Sequence, residues 1–132
     1  MDTNACIDFF DGDKNLLNVL NKQTDLISIT TITIYEIDIG MEMTKRKKSE
    51  ERYQNLQRKW IKLTSNLRVL SLGIKEAKKS AEIYDNLKSK GILIDDNDIL
   101  IAGIMLSNGV TKIITRNLRH FQRIESLEII SY

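Results

Sequence analysis

A chain of 132 residues lies within the usual length of one compact domain, and 42% apolar content with 29% charge and a mean hydropathy of −0.26 supports a packed core and excludes a disordered tail. No run approaches the roughly 20 apolar residues of a membrane span, and Met1-Asp2-Thr3-Asn4 is not the basic start of a secretory leader, so a cytoplasmic chain with no membrane partner is expected. The net charge of +2 hides an acidic first third, with eight acids and two bases over residues 1 to 43, and a basic stretch of nine bases and two acids over residues 44 to 68.

In chain order, Ala5 to Phe10 is apolar, and Leu16, Leu17 and Leu20 recur at helical spacing. Leu26-Ile27-Ser28-Ile29 reads as a buried strand. From Ile27 to Ile39 most isoleucines fall on every second residue, which favours a strand or hairpin. Against that, Thr30-Thr31 offers a helix cap, Glu36 and Glu42 suit a helix, and Gly40 is the only turn residue, so local signals leave strand and helix even. Tyr53, Leu56, Trp60 and Leu63 predict one amphipathic helix, and Ala77, Ala81, Tyr84 and Leu87 another. Leu67 to Leu72, Lys112 to Thr115 and Leu127 to Ile130 predict further buried strands. Asp95-Asp96-Asn97-Asp98 supplies a cap and favourable charge for a helix over Ile99 to Leu106, which Gly109 is placed to stop. Strands alternating with helices of this length imply crossover connections, hence an α/β fold with a mainly parallel central sheet flanked by helices.

One cysteine and one histidine exclude an internal disulfide and a Cys/His zinc cage, leaving carboxylates, hydroxyls and amides to carry any chemistry. Functional groups of parallel sheets gather beyond the carboxyl ends of the strands. Asp2, Glu36, Asp98 and Asn117 can all reach that rim. Carboxylates converging to about 4 Å repel by roughly 4 kcal/mol per pair at an effective dielectric near 20, so a divalent cation is their natural partner. An oxygen-only donor set suits Mg²⁺ or Mn²⁺. Each residue also has a plain structural use: Asp2 as a terminal charge, Asp98 as one of several capping acids, Asn117 as a helix start. Glu36, set among isoleucines, needs a partner in either case. His120 reads as packed or exposed rather than as a general base, and Cys6 as core.

Four segments in order resemble the motifs of the PIN-domain nucleases, the fold of VapC-type toxins of toxin-antitoxin pairs: Met1-Asp2-Thr3-Asn4, then Thr31 to Gly40 around Glu36, then Asn97-Asp98-Ile99-Leu100-Ile101-Ala102-Gly103, and Ile113 to Ile124 around Thr115-Arg116-Asn117. The likeness spans nearly the whole chain, read as a single domain of residues 1 to 132. It implies a metal-dependent endoribonuclease with Asp2, Glu36 and Asp98 as acids and Asn117 at the fourth position. It also implies a helix from about Thr31. Two departures stand out: the fourth position is often Asp, and the family's first strand usually has several residues before its Asp, so strand one is expected to be short or to start upstream.

The resemblance further implies a mechanism in which Asp2 and Asp98 hold the principal ion and Glu36 orients water, while Thr115 and Asn117, with Asn4, support the ligands. The run Lys45-Arg46-Lys47-Lys48, continued by Arg52, Arg58, Lys59 and Lys62 on one helix with Tyr53 and Trp60, is expected to contact RNA phosphates together with Arg116. It can instead be a solvated face, or a surface for an antitoxin or a second subunit. A catalytically silent binding module of the same fold is the chief rival. A phosphoacceptor receiver lacks its acidic pair and late Lys here, and no phosphate-binding Gly-rich loop is present.

Overall fold

The computed structural model describes residues 1 to 47 and 49 to 132; Lys48, part of the basic run, lies outside them. The elements are α1 (Thr3–Asp11), α2 (Lys14–Asn21), β1 (Ser28–Thr30), α3 (Thr31–Lys47), α4 (Glu50–Thr64), β2 (Arg68–Leu70), α5 (Ile74–Ser89), α6 (Asp96–Ser107), β3 (Lys112–Ile114), α7 (Leu118–Phe121) and β4 (Glu128–Ile130). β1 pairs in parallel with β2, Ile29 opposite Val69, and β3 in parallel with β4, Ile113 opposite Ile129. Met1 and Asp2 join the two ladders: Met1 N donates to Ser28 O at 2.8 Å and Asp2 N to Ile114 O at 3.3 Å. This bridge delivers Asp2 to the carboxyl ends of β1 and β3.

The ambiguous isoleucine segment is helix from Thr31, and Gly40 lies inside α3 rather than in a turn. Thr30 Oγ1 accepts the Thr33 amide at 3.2 Å and so caps the first turn. The alternating pattern misleads because α3 packs between two cores. Ile32 meets a cluster of Ile83, Leu87, Ile99, Ile101, Ala102 and Phe121, whereas Ile34 and Ile37 meet one of Ala5, Leu16, Ile29, Trp60 and Ile114. A helix buried on two sides carries no single apolar stripe. α6 is buried more completely still, with Ile99 and every residue from Ile101 to Met105 inside, so Asp98 projects from the start of a central, fixed helix. Gly109, at φ 71°, follows its C-terminus as expected.

Three expectations are corrected. The buried face of α5 is Ser80, Ile83 and Leu87; Ala77, Ala81 and Tyr84 are exposed. The reason is a close approach to α6: a Cβ on Gly103 would lie 2.0 Å from Ser80 Oγ and 2.8 Å from Ser80 Cα. β2 is not a buried strand, since only Leu70 is inside and Val69 is 38% exposed, as befits an edge strand. Lastly, the basic residues do not share one helix: Lys45, Arg46 and Lys47 end α3, and Arg52, Arg58, Lys59 and Lys62 belong to α4. α4 is pinned to α3 by Trp60 Nε1, which donates to Asp38 Oδ1 at 3.1 Å.

Candidate active site

Asp2 is almost wholly buried, at 1% exposure, where it caps α1. Its Oδ1 accepts the Ala5 amide at 2.9 Å, and its Oδ2 accepts the hydroxyl of fully buried Thr115 at 2.6 Å. Asp98, in the first turn of α6, receives Asn117 Nδ2 at 2.9 Å and lies 2.5 Å from His120 Nδ1, both through Oδ2. Its Oδ1 accepts no hydrogen bond among the described residues and is open to solvent. Glu36 is held from two sides, with Asn97 Nδ2 donating to Oε1 at 2.9 Å and Thr3 Oγ1 donating to Oε2. Asn117 N in turn donates to Thr115 Oγ1 at 2.8 Å, so one short loop after β3 grips both Asp2 and Asp98.

The electrostatics follow from this crowding. Burial pushes the Asp2 carboxyl above its ordinary range; the hydrogen bonds from Thr115 and Ala5 oppose the shift, and Asp98 adds to it. Burial likewise raises Asp98, opposed by His120 and reinforced by Asp95 and Glu36. Asp2 thus feels Asp98, and Asp98 feels Glu36, as charges that a cation would relieve. Among the described residues no three Asp, Glu, His or Cys side chains already stand at ligating distance of one ion. Oxygen donors from two mutually repelling carboxylates are chemistry that Mg²⁺ accepts, since it binds through one or two carboxylates and keeps several waters. Asp2 and Asp98, joined by water, fit such an ion.

Of the residues named from the sequence, the structure links Asp2 to Thr115, Thr115 to Asn117 and Asn117 to Asp98, while Glu36 is bonded to Thr3 and Asn97, the neighbours of Asp2 and Asp98. Sequence reasoning missed three supports. Thr3, rather than Asn4, touches Glu36, and Asn4 makes no side-chain hydrogen bond among the described residues. Asn97 bonds Glu36, and His120 sits against Asp98. The available signal for His120 was its place three residues after Asn117, one helical turn away. Cys6 is core as expected, its thiol pushed up to about 12 mainly by burial and hence unreactive.

Of the expected phosphate-contacting residues, Lys45, Arg46 and Lys47 are exposed, and Lys45 Nζ lies 5.2 Å from the centre of the Tyr53 ring. Arg116 Nη1 pairs with Asp8 Oδ1 at 3.0 Å. None of Asp2, Glu36 or Asp98 lines the cavity of about 280 Å³ that opens beside β1 and β3, among Ile27, Ile29, Leu70 and Val110. No helix is long and apolar enough to cross a membrane, a statement that covers the described residues.

Comparison with known proteins agrees with this fold. The chain is similar to solved structures titled as VapBC2 from Rickettsia felis bound to a promoter DNA fragment (TM-score 0.83, 25% identity, 99% of this chain and 96% of that one) and DNA-bound VapBC from Salmonella typhimurium (0.81, 30%, 98% and 94%). VapBC-1 from nontypeable Haemophilus influenzae is similar too (0.79, 25%, 98% and 94%). No curated protein is a significant match. A family model described as PIN domain matches residues 1–127. With the fold, the ordered motifs and that match in agreement, the chain belongs to the PIN-domain family.

Proposed function

We propose that this chain is a VapC-like toxin, a single domain of residues 1 to 132 that hydrolyses RNA phosphodiester bonds with Mg²⁺ or Mn²⁺ and is restrained by an antitoxin. The observation that carries the reading is the network that braces the three acids, in which Thr115 bonded to Asp2 also receives the amide of Asn117, Asn117 bonds Asp98, and Glu36 is held by Thr3 and Asn97, the neighbours of Asp2 and Asp98. A divalent ion, when bound, supplies an activated water and neutralises charge on the reacting phosphate. Asp2 and Asp98 are the residues that would hold it. Glu36, fixed by Thr3 and Asn97, is oriented to accept a proton from water or to align it. Asn117 fills the fourth position with a neutral amide that orients Asp98 without adding charge. Lys45, Arg46, Lys47 and Arg116 provide cations for the RNA backbone.

The similarity to structures titled as VapBC supports an antitoxin partner, and a homodimer in the cytoplasm belongs to the same proposal. The decisive experiment is cleavage of RNA with and without Mg²⁺, Mn²⁺ and EDTA, using Asp98→Asn as control. Products with 5′-phosphate and 3′-hydroxyl ends, lost with EDTA and in the variant, are expected. Equal activity in wild type and variant would mark a contaminant and leave a silent binding module as the better reading.

A further inference from the structure

The mechanism above makes no use of a second buried carboxylate. Asp8, on α1, is 6% exposed, and both its oxygens are engaged: Oδ1 by Arg116 Nη1 at 3.0 Å, and Oδ2 by the hydroxyl of Tyr132, which donates at 2.6 Å. Arg116 stands between Thr115, which holds Asp2, and Asn117, which holds Asp98. Its side chain is 56% exposed, so part of its fork of donors remains open at the rim of the acid site.

A buried carboxylate needs a partner, and Arg116 alone would meet that need. Tyr132 does something more. By occupying the second oxygen it fixes the plane of the carboxylate, and a planar guanidinium paired with a fixed carboxylate is itself fixed. The Tyr132 hydroxyl is pushed up by burial and by Asp8, so it stays a donor at any working pH, and it lies close enough to Asp2 and Arg116 to feel both charges. The three side chains tie the end of the chain, the middle of α1 and the β3–α7 loop to one point beside the reacting groups.

We propose that Asp8 and Tyr132 are positioning residues that hold Arg116 as a preset phosphate-binding group at the rim of the Asp2–Asp98 site, where it grips the RNA backbone. This rests on the nuclease reading. It makes a claim opposite in sign to simple charge counting, by which removing the negative charge of Asp8 should strengthen attraction for a polyanion.

The test compares wild type, Asp8→Asn, Arg116→Gln, the double variant and Tyr132→Phe on a panel of end-labelled transfer and messenger RNAs, with thermal melting of each protein. Asp8→Asn and Arg116→Gln are each expected to lower kcat/KM about tenfold, chiefly through KM, with no further loss in the double variant. Tyr132→Phe keeps the ion pair and should show a smaller loss of the same kind; it carries the test if Asp8→Asn does not fold. An unchanged or lower KM in Asp8→Asn, additive losses in the double variant, or wild-type kinetics in Tyr132→Phe would overturn the positioning role alone. Absence of any divalent-dependent cleavage or RNA binding by the wild type would overturn the function and this role together.

Discussion

His120 Nδ1 stands 2.5 Å from Asp98 Oδ2, on the same oxygen that receives Asn117, so one turn at the start of α7 holds the acid by a single oxygen. The histidine lowers the pKa of a carboxyl that burial raises. Replacing it by Ala should let burial raise Asp98 further, move the acidic limb of the kcat/KM profile to higher pH and reduce the plateau about tenfold. Profiles of wild type and His120→Ala measured between pH 5 and 9 check this; an unshifted limb would show that His120 does not tune Asp98.

Asp2 and Asp98 both have carboxyls raised by burial from the ordinary value of 3.8. The folded state therefore retains protons that the unfolded chain has already released, and metal-free stability falls as pH rises from 3.8 through the folded values. Asp98→Asn should remove part of that slope and be at least as stable as wild type near neutral pH, yet lose cleavage by about a hundredfold or more. Melting temperatures across pH, with and without Mg²⁺, are the measurement, and Mg²⁺ should stabilise the wild type far more than the variant.

Thr115 is fully buried and its hydroxyl is the partner of Asp2 Oδ2. Thr115→Val preserves shape but leaves that oxygen and the Asn117 amide unmatched, at a cost of about 1–3 kcal/mol. Thr115→Ser should recover most of it. Urea unfolding of the two variants separates loss of the hydroxyl from loss of the methyl group.

At the contact of α5 with α6, Gly103→Ala would drive a Cβ to 2.8 Å from the Ser80 backbone, which a rotamer change cannot relieve. A loss of about 1–3 kcal/mol is expected from overpacking. Because Asp98 projects from the same helix, cleavage should fall with it, whereas Ser80→Gly in the Gly103→Ala background should restore only part, since the backbone contact persists.

The basic ends of α3 and α4 make a separate prediction. The wild type should bind single-stranded RNA with a log-log salt slope of about −2 to −3, and neutralising Lys45, Arg46 and Lys47 together should reduce its magnitude by about 2 if all three contact phosphates. Fluorescence anisotropy over a salt series reads this directly, and an unchanged slope would move the RNA path elsewhere.

Legible in the residues alone were the α/β class, three of the four strand positions closely, and the caps and stop of α6, because these depend on local propensity, while residue order within a family pattern pointed to Asp2, Glu36, Asp98 and Asn117 as the site candidates. Local signals left α3 open, since a helix wedged between two cores scatters its isoleucines over two faces and imitates strand alternation; the family resemblance alone gave the helix from Thr31 that the structure has. The sequence alone misread which face of α5 is buried, where the deciding feature is a missing Cβ on a different helix, and the burial of β2, whose exposure reflects its edge position. That His120 belongs with Asp98, that Thr3 and Asn97 hold Glu36, and that Asp8, Arg116 and Tyr132 form one cluster emerged from the folded chain alone. The physical reason is that most of these partners lie far apart in sequence: hydrogen-bonding geometry is fixed over a few ångströms in space, and no period along the chain encodes a contact between residues 8 and 132.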